Sequence, residues 1–254
     1  KQFITHTTLP YNKSAVRTFL LRQKLFIGLL LSLVVVGLAL NAIVTLEALV
    51  AILSTIYFLD TVFNAGLIFK SLRSPQEITI PQDELDSLDD SSLPTYTILC
   101  PLYKEAHIIP QFLEAISKLS WPKSKLDVIL LLEEDDLNSI EVAKKLGLPG
   151  YVRIAVVPHS QPKTKPKACN YGLSIARGEY LVIYDAEDIP DVMQLKKAFL
   201  SFKKSGPQVK CLQAKLNYHN PHQNLLTRFF TAEYSLWFDV TLTGYQSINT
   251  SIPL

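Results

Sequence analysis

Two long apolar runs near the start of the sequence constrain what this chain can fold into more than any other feature. Residues 25–43, LFIGLLLSLVVVGLALNAI, carry no charge, and residues 48–69, ALVAILSTIYFLDTVFNAGLIF, carry only Asp60. Each run is long enough to cross a hydrocarbon core of about 30 Å as a helix. A cleaved signal peptide is disfavoured, because a second run follows and no small-x-small cleavage site is evident. The pattern predicts a transmembrane helical hairpin over residues 25–73, with a buried hairpin of a soluble protein as the alternative.

The basic residues around these runs indicate an orientation. They lie at the outer ends of the pair, at Arg17, Arg22, Lys24, Lys70 and Arg73. The short connection carries only Glu47. By the positive-inside rule, both ends of the hairpin are cytoplasmic and the connection is a tight turn outside. Residues 1–24 are then a basic cytoplasmic segment, and Asp60 is expected to face protein or the membrane interface.

The rest of the chain changes character twice. Residues 74–94 hold six carboxylates and no Lys or Arg, which is typical of an acidic linker lying off the core. From residue 95 onward, short apolar runs alternate with amphipathic segments. Strands are predicted at 95–101, 126–132, 151–158, 179–185 and 209–216, and helices at 108–119, 140–146, 167–176 and 191–204. This alternation predicts an α/β domain with a mostly parallel sheet, whose ligands bind at the carboxyl ends of the strands.

Four polar clusters fall at or near the predicted strand ends. They are CPLYKE at 100–105, LLEEDD at 131–136, KTKPKACN at 163–170 and DAED at 185–188. Any one of them alone could be a solvated helix cap. Acids that hold a divalent cation beside a lysine loop together suit a diphosphate, whose charge needs both. No Walker A sequence and no GxGxxG occur, which excludes a P-loop NTPase and disfavours a nicotinamide or flavin enzyme.

Charge and cysteine content narrow the class further. The chain has 25 basic and 23 acidic residues, which argues against nucleic-acid binding by bulk charge. Its three cysteines, Cys100, Cys169 and Cys211, form no CxxC pair. We expect them to be reduced, buried thiols on the cytosolic side. The sequence begins with Lys1 and is expected to be a piece of a longer protein.

The clusters together resemble a known family. PLYKE, the acids after the second strand, TKPKACNYGL and YDAEDIPD are similar to the membrane-bound family 2 glycosyltransferases of the GT-A fold, in the cellulose-synthase-like and β-glucan synthase branch. The resemblance covers about residues 94–254, and its specificity lies in the combination of motifs. It implies a UDP-sugar donor, Mg²⁺ or Mn²⁺, a polysaccharide or lipid acceptor and inversion at the anomeric carbon. It also implies an integral protein of the bacterial inner (plasma) membrane with its catalytic domain in the cytoplasm.

By this resemblance, two clusters border the nucleoside. Tyr103 and Glu105 match the loop beside the uridine. Glu133 and Glu134 match an acidic pair, usually Asp-Asp, that contacts the base. Asp135 competes for this role, because the register is open by one residue.

The other two clusters match the diphosphate and metal parts of the family site. Lys165, five residues before Asn170, matches a lysine near the diphosphate. Asp185 and Glu187 match the family's Asp-x-Asp, whose first acid lies near the ribose or metal and whose second acid binds the metal. Asp188 is an extra carboxylate, so the metal ligands are predicted to come from Asp185 with Glu187 or Asp188.

One family element does not occur in this sequence. The catalytic base of the family lies in a later Thr/Ser-Glu-Asp motif, followed by Gln-x-x-Arg-Trp, and the base is therefore expected beyond Leu254. Residues 95–254 then form the donor-binding half of the domain, inactive alone. The expected function is a membrane-anchored inverting transferase that moves a hexose, chiefly glucose, into a β-glycosidic bond. The alternative is a catalytically inactive nucleotide-binding scaffold or sensor in a membrane complex.

Overall fold

The computed structural model describes residues 19–161, 163–250 and 252. Arg17 and most of the predicted basic segment 1–24 lie outside the described residues. The described chain forms two compact units. One comprises Thr79–Lys210, and the other comprises the described parts of Arg17–Ile78 and Cys211–Leu254. The proposed domain 95–254 thus extends over both units.

The α-helices and strands follow in chain order. The helices are α1 (Leu21–Leu40), α2 (Ala42–Arg73), α3 (Gln82–Asp86), α4 (Ile109–Ser117), α5 (Leu137–Lys145), α6 (Lys165–Ile175), α7 (Gln194–Lys204), α8 (Leu225–Ser235) and α9 (Leu242–Ser247). The strands are β1 (Tyr96–Leu102), β2 (Leu126–Glu133), β3 (Val152–Val157) and β4 (Tyr180–Ile183). Short 3₁₀ turns lie at Asp90–Ser92, Ala106–Ile108 and Lys123–Lys125, and a π-helical segment at Leu236–Thr241.

The first unit is built on one four-stranded parallel sheet with the order β3-β2-β1-β4. This confirms the parallel α/β fold predicted from the sequence. Parallel strands need a crossover between them, and α4, α5 and α6 lie in these crossovers. All four strands end at the same edge of the sheet, where the polar clusters of the sequence follow them.

The central strand explains why the sequence in this region is so apolar. Every residue of β2, LDVILLLE, is buried. Leu130 belongs to the core on one face of the sheet, together with Phe112 of α4. Leu131 belongs to the core on the other face, which α6 covers. At Gly172 of α6 a β-carbon would lie 2.9 Å from the Leu131 side chain, so the close packing of α6 on the sheet requires glycine there.

Three predictions about the segments before and after the sheet are wrong. Residues 209–216 form no strand, because they find no partner strand and most of their side chains are exposed. Cys211 in that segment is exposed rather than buried. The acidic segment 74–94 does not lie off the core, since Leu85 and Leu93 are 1% and 3% exposed. Its short apolar residues are packed into the first unit while its carboxylates remain outside.

The second unit contains the two apolar helices. Both α1 and α2 are long and apolar enough to cross a membrane by length and composition. Only Asn41 separates them, and its side chain caps α2 by accepting a hydrogen bond from the Val44 N–H at 3.2 Å. Glu47, predicted in the connection, therefore lies inside α2. The end of α2 contacts α9 through the hydrogen bond between the Ser71 and Thr243 hydroxyls.

Candidate functional site at the carboxyl edge of the sheet

The carboxyl edge of the sheet gathers the four polar clusters that the sequence predicted there. The chain leaves β1, β2 and β4 at this edge, and the loop after β3 leads into α6 on the same side. Three lysines of that loop, Lys163, Lys165 and Lys167, each form an ion pair with a different acid. The lysine loop, defined as residues 163–167 and so including the first turn of α6, is thereby held against acids at or after the ends of two different strands.

The deepest pair joins Lys167 to Glu133. Lys167 Nζ lies 2.8 Å from Glu133 Oε2, and the two side chains are 11% and 7% exposed. Glu133 is the last residue of β2, so this pair ties the start of α6 to the centre of the sheet. A buried charge is tolerated when it has an opposite charge and a hydrogen bond, and each partner supplies both to the other.

A second pair lies nearer the surface and includes a tyrosine. Lys163 Nζ forms an ion pair with the Asp135 carboxylate. The Tyr103 hydroxyl donates a hydrogen bond to the same carboxylate at 3.3 Å, and Lys163 Nζ lies 5.6 Å from the Tyr103 ring centre. The hydrogen bond from Lys163 holds the pKa of the Asp135 carboxyl below its usual value. Tyr103 is 40% exposed, so its ring offers a partly open aromatic face beside these charges.

The third pair is the most accessible. Lys165 Nζ contacts the Asp185 carboxylate, and these side chains are 48% and 46% exposed. The Asp185 N–H donates a hydrogen bond to Asp188 Oδ2 at 2.9 Å, so the Asp188 carboxylate closes a turn after β4. Glu187 between them is exposed. Burial raises the pKa of the Asp188 carboxyl, and the nearby acids Asp185 and Glu187 raise it further.

The loop after β1 carries backbone strain. Lys104 has a positive φ of 61°, a conformation that residues other than glycine rarely adopt. Its N–H donates a hydrogen bond of 2.6 Å to Asp136 Oδ2, and the other Asp136 oxygen accepts from the Ser139 N–H at 3.2 Å. Asp136 is 5% exposed and caps α5. Burial favours the neutral Asp136 carboxyl, but these hydrogen bonds outweigh it and lower its pKa. The strained turn is therefore fixed to the start of α5 by one carboxylate.

The remaining predicted site residues lie at the same edge with different surroundings. The exposed Glu134 carboxylate accepts a hydrogen bond of 2.8 Å from the His159 N–H, at the beginning of the loop that leads to the lysines. Glu105 directly precedes the 3₁₀ turn after β1. Within the described residues, no hydrogen bond or ion pair joins its carboxylate to another side chain. Of the acids at the end of β2, Asp135 contacts both Tyr103 and Lys163 near the surface. Glu133 is buried beneath the loop.

Sequence reasoning missed three residues that shape this edge. The motif resemblance gives Lys167 no role, although its position four residues after Lys163 places a third cation in the loop. Asp136 was grouped with the acids, and its place before a helix with Ser139 three residues on is a signal for an N-cap. Lys104 carries no sequence signal for its positive φ.

The acids at this edge have the chemistry of magnesium or manganese ligands, which are carboxylate oxygens. Within the described residues, no group of three or more His, Cys, Asp or Glu side chains is arranged to hold a metal ion. Mg²⁺ is usually bound by one or two carboxylates together with ligand phosphates and water rather than by an all-protein cage. Asp185 and Glu187, half-buried and exposed after β4, are two carboxylates of this kind.

The parallel sheet with acids and lysines at its carboxyl edge defines the class of α/β domain, and the family comparison specifies it. The family model described as glycosyl transferase family 2 matches residues 97–253. The chain belongs to this family. Membership confirms the predicted glycosyltransferase family 2 and, with the parallel sheet, the GT-A class of fold, whereas the predicted cellulose-synthase-like branch stays a prediction.

Curated relatives are similar over part of their length. The chain is 26% identical over 146 residues to the probable glycosyltransferase YdaM of Bacillus subtilis, covering 56% of this chain and 34% of that protein. It is 24% identical over 200 residues to the probable glucomannan 4-beta-mannosyltransferase 15 of Arabidopsis thaliana, covering 70% of this chain and 35% of that protein. The chain thus spans about a third of the length of these two relatives.

A solved structure is also similar. The mannosyltransferase PcManGT from Pyrobaculum calidifontis, in complex with GDP-Man and Mn2+, is 22% identical with a TM-score of 0.46, covering 67% of this chain and 48% of that one.

Proposed function

We propose that the intact protein is a membrane-anchored, inverting glycosyltransferase that uses a UDP-hexose, with glucose as the leading candidate. The acceptor is a polysaccharide or a lipid, and the product carries a β-glycosidic bond. The proposal places it in the cellulose-synthase-like branch and in the bacterial inner (plasma) membrane, with the sheet unit in the cytoplasm. The observation that carries the proposal is the ion pair between Lys165 and Asp185 at the open edge of the sheet.

This pair supports donor binding because it combines both charges that a nucleoside diphosphate needs. Lys165 is the most exposed of the three loop lysines that form ion pairs, at 48%, against 22% for Lys163 and 11% for Lys167. A diphosphate can therefore displace Asp185 from Lys165 without breaking a buried contact. Asp185 is then released toward the ribose or the metal.

The nucleoside is proposed to lie beside Tyr103. Its partly exposed ring can stack on a base, and Asp135 next to it can accept a hydrogen bond from the base. The structure supports Asp135 rather than Glu133 for this role, because Glu133 is buried and paired with Lys167. Glu134 and Glu105 remain proposed members of the nucleoside side of the site.

Asp185 with Glu187 would hold Mg²⁺ or Mn²⁺. When bound, the cation neutralises charge that develops on the departing nucleoside diphosphate. Lys165 would contribute to the same neutralisation by donating a charge-assisted hydrogen bond to a phosphate oxygen. The base that deprotonates the acceptor hydroxyl is assigned to no residue of this chain, so the proposed role of these residues is to bind and orient the donor.

Membrane anchoring is proposed for α1 and α2. Neither apolar helix buries a wide face in the described structure, since α1 has no buried residue and α2 has only Leu67 and Ser71. Helices that are apolar all round and exposed are suited to a lipid environment.

Transfer of labelled sugar tests the function. Full-length protein in membranes is given radiolabelled UDP-glucose or GDP-mannose with Mg²⁺ or Mn²⁺, and the product linkage is analysed. The GDP-mannose arm is included because a curated relative is named as a mannosyltransferase. We expect β-linked product from UDP-glucose, at least tenfold less with Lys165→Ala, and no loss with Lys144→Ala, an exposed lysine on α5.

The outcomes separate the candidate functions. Product from GDP-mannose alone would support the transferase function and would replace glucose by mannose as the transferred sugar. Metal-dependent nucleotide binding without transfer from either donor would support the inactive scaffold. Neither binding nor transfer would overturn the assignment of a nucleotide-sugar site to this edge.

A further inference from the structure

A polar cavity lies at the amino-terminal edge of the sheet, opposite the lysine loop. It has a volume of about 270 Å³, and its lining includes Thr95, Ser124, Asp127, Tyr151, Arg153 and Arg177. These residues lie at, or within three residues of, the first residues of β1, β2, β3 and β4. The strands are 4 to 8 residues long, so the cavity lies on the order of 20 Å from the lysine loop. It is separate from the proposed donor site, and neither proposal depends on the other.

Among the described residues that line the cavity, Asp127 is the one acid, and both of its carboxylate oxygens accept hydrogen bonds. Asp127 Oδ1 accepts from Arg153 Nε at 2.8 Å, and Asp127 Oδ2 accepts from Arg153 Nη2 at 3.2 Å. Asp127 Oδ2 also accepts from the Arg177 N–H and from the Thr97 hydroxyl, each at 3.0 Å. Burial alone would raise the pKa of Asp127, but these contacts lower it and keep the carboxylate ionised. Asp127 therefore pairs with Arg153 through both carboxylate oxygens and neutralises its charge.

Arg177 is the second cation of the lining, and its guanidinium is not paired with Asp127. Within the described residues, its side chain has no ion pair or hydrogen-bond partner, although its backbone N–H is fixed to Asp127. With Asp127, Arg153 and Arg177 as the charged lining, the cavity carries one excess positive charge. A guanidinium presents paired N–H donors that match the geometry of a phosphate group.

The size and the neutral lining restrict what can enter. A volume of about 270 Å³ is below the range of roughly 300–1,000 Å³ typical of sites for drug-sized ligands. The cavity suits a phosphate group with a small substituent and is too small to enclose a whole nucleotide sugar. Ser124, Thr95 and Tyr151 add hydroxyl groups to the wall, and hydroxyls donate to phosphate oxygens without adding charge.

We propose that this cavity binds a phosphate group, held by Arg177 with support from Arg153 and the hydroxyls of the wall. The same chemistry is offered by a small soluble phosphomonoester and by a lipid phosphate headgroup. Occupancy would link the segment before β4, at Arg177, to the start of β3, at Arg153, and so stabilise the first unit.

Thermal unfolding of the full chain in detergent tests the proposal. Unfolding is followed by tryptophan fluorescence while inorganic phosphate replaces chloride at constant ionic strength, which removes general screening. We expect the unfolding temperature to rise saturably with phosphate, as for any ligand that binds the folded state alone. Arg177→Gln should raise the half-saturating concentration at least tenfold, and Arg177→Lys should restore part of the affinity.

Two control variants identify the site. Lys144→Gln removes one exposed positive charge elsewhere in the same unit and should leave the phosphate response unchanged. Lys165→Ala weakens the other phosphate-binding candidate, at the lysine loop, and the part of the response that depends on Arg177 should persist in this variant. A response that is lost in Lys165→Ala and kept in Arg177→Gln would overturn the proposal, as would the absence of any phosphate-specific rise in the wild type.

Two further titrations distinguish the sources of the phosphate. A rise with glycerol 3-phosphate that depends on Arg177 would identify a soluble phosphomonoester. A rise only with phosphatidic acid micelles, again dependent on Arg177, would identify a lipid headgroup. Both results support the cavity as the binding site, and equal responses from wild type and Arg177→Gln in both titrations would refute it.

Discussion

Lys167 and Glu133 form a buried ion pair of 2.8 Å between the first turn of α6 and the last residue of β2. The pair lies beneath the lysine loop and fixes its C-terminal end to the centre of the sheet. Lys163 and Lys165, on the same loop, then meet Asp135 and Asp185 at more exposed positions. The loop therefore has a structural lysine and two lysines that a ligand can reach.

The first prediction concerns the stability of this buried pair. Lys167→Met should lower the free energy of unfolding by about 3–5 kcal/mol, because it leaves the Glu133 carboxylate buried without a partner. The double variant Lys167→Met, Glu133→Leu should recover most of the loss, since it removes both charges. Urea unfolding of the full chain in detergent, followed by tryptophan fluorescence, measures both changes.

The exposed pair between Lys145 and Glu141 provides the matched control. These side chains are 74% and 66% exposed, so Lys145→Met should cost less than about 1 kcal/mol. A loss for Lys167→Met as small as that of the control would show that Glu133 is not held by the pair.

The second prediction separates the roles of the two exposed loop lysines. Lys165→Ala should weaken nucleoside-diphosphate binding by about 1.5–3 kcal/mol, the loss of a charge-assisted hydrogen bond. Lys163→Ala should have a smaller effect, because Lys163 is engaged with Asp135 and Tyr103. Calorimetric titration with UDP measures both. Equal losses would mean that the loop acts as a diffuse basic patch.

The third prediction concerns the acids after β4. UDP affinity should depend on Mg²⁺ or Mn²⁺, and Asp185→Asn or Glu187→Gln should abolish this dependence at nearly constant side-chain volume. Asp188→Asn should have a mild effect, because the Asp188 carboxylate is occupied by the Asp185 N–H. Titration of UDP with and without metal distinguishes them. A severe effect of Asp188→Asn would make Asp188 the metal ligand in place of Glu187. Metal-independent binding of UDP by the wild type would contradict a metal role for all three acids.

The fourth prediction is a pH dependence from Asp127. Its pKa is lowered in the folded state from the usual 3.8, so its contribution to stability is complete above that value. The contribution is lost as the pH falls below 3.8 through the folded-state pKa. Asp127→Asn should therefore destabilise the protein at pH 7, and the destabilisation should be smaller at pH 3.

Urea unfolding at the two pH values checks this dependence. Asp83→Asn is the control, because Asp83 is exposed and its carboxylate has no hydrogen-bond partner among the described residues. A destabilisation by Asp127→Asn that is equal at pH 7 and pH 3 would contradict the role assigned to its charge.

The fifth prediction tests the membrane orientation. A single cysteine at Asn41, between α1 and α2, should react with an impermeant thiol reagent from outside the cell, and one at Ser87 should not. The native Cys211 is exposed and must first be replaced by serine. The unsubstituted protein is the control, because its exposed Cys211 should be labelled only after the cells are permeabilised. Labelling at Ser87 in intact cells would reverse the orientation.

Much of the fold was readable from local pattern. The unbroken apolar run of β2 indicated a strand buried on both faces, and the polar residues after β1, β2 and β4 marked one edge of a parallel sheet. Residues 209–216 have similar composition but form no strand, because a strand also needs a neighbour with free hydrogen-bonding groups. No local pattern contains that information.

The sequence by itself determined the parallel α/β class, the two membrane-length helices and the edge of the sheet where the acids and lysines meet, since periodicity and chain direction fix these. Only the tertiary structure decided which lysine meets which acid. Glu133, Glu134, Asp135 and Asp136 are consecutive acids with the same local signal, yet they contact Lys167, His159, Lys163 and Lys104, respectively. Their burial and partners depend on the packing of α6 and the turn after β1 against β2, which brings together residues distant in the chain.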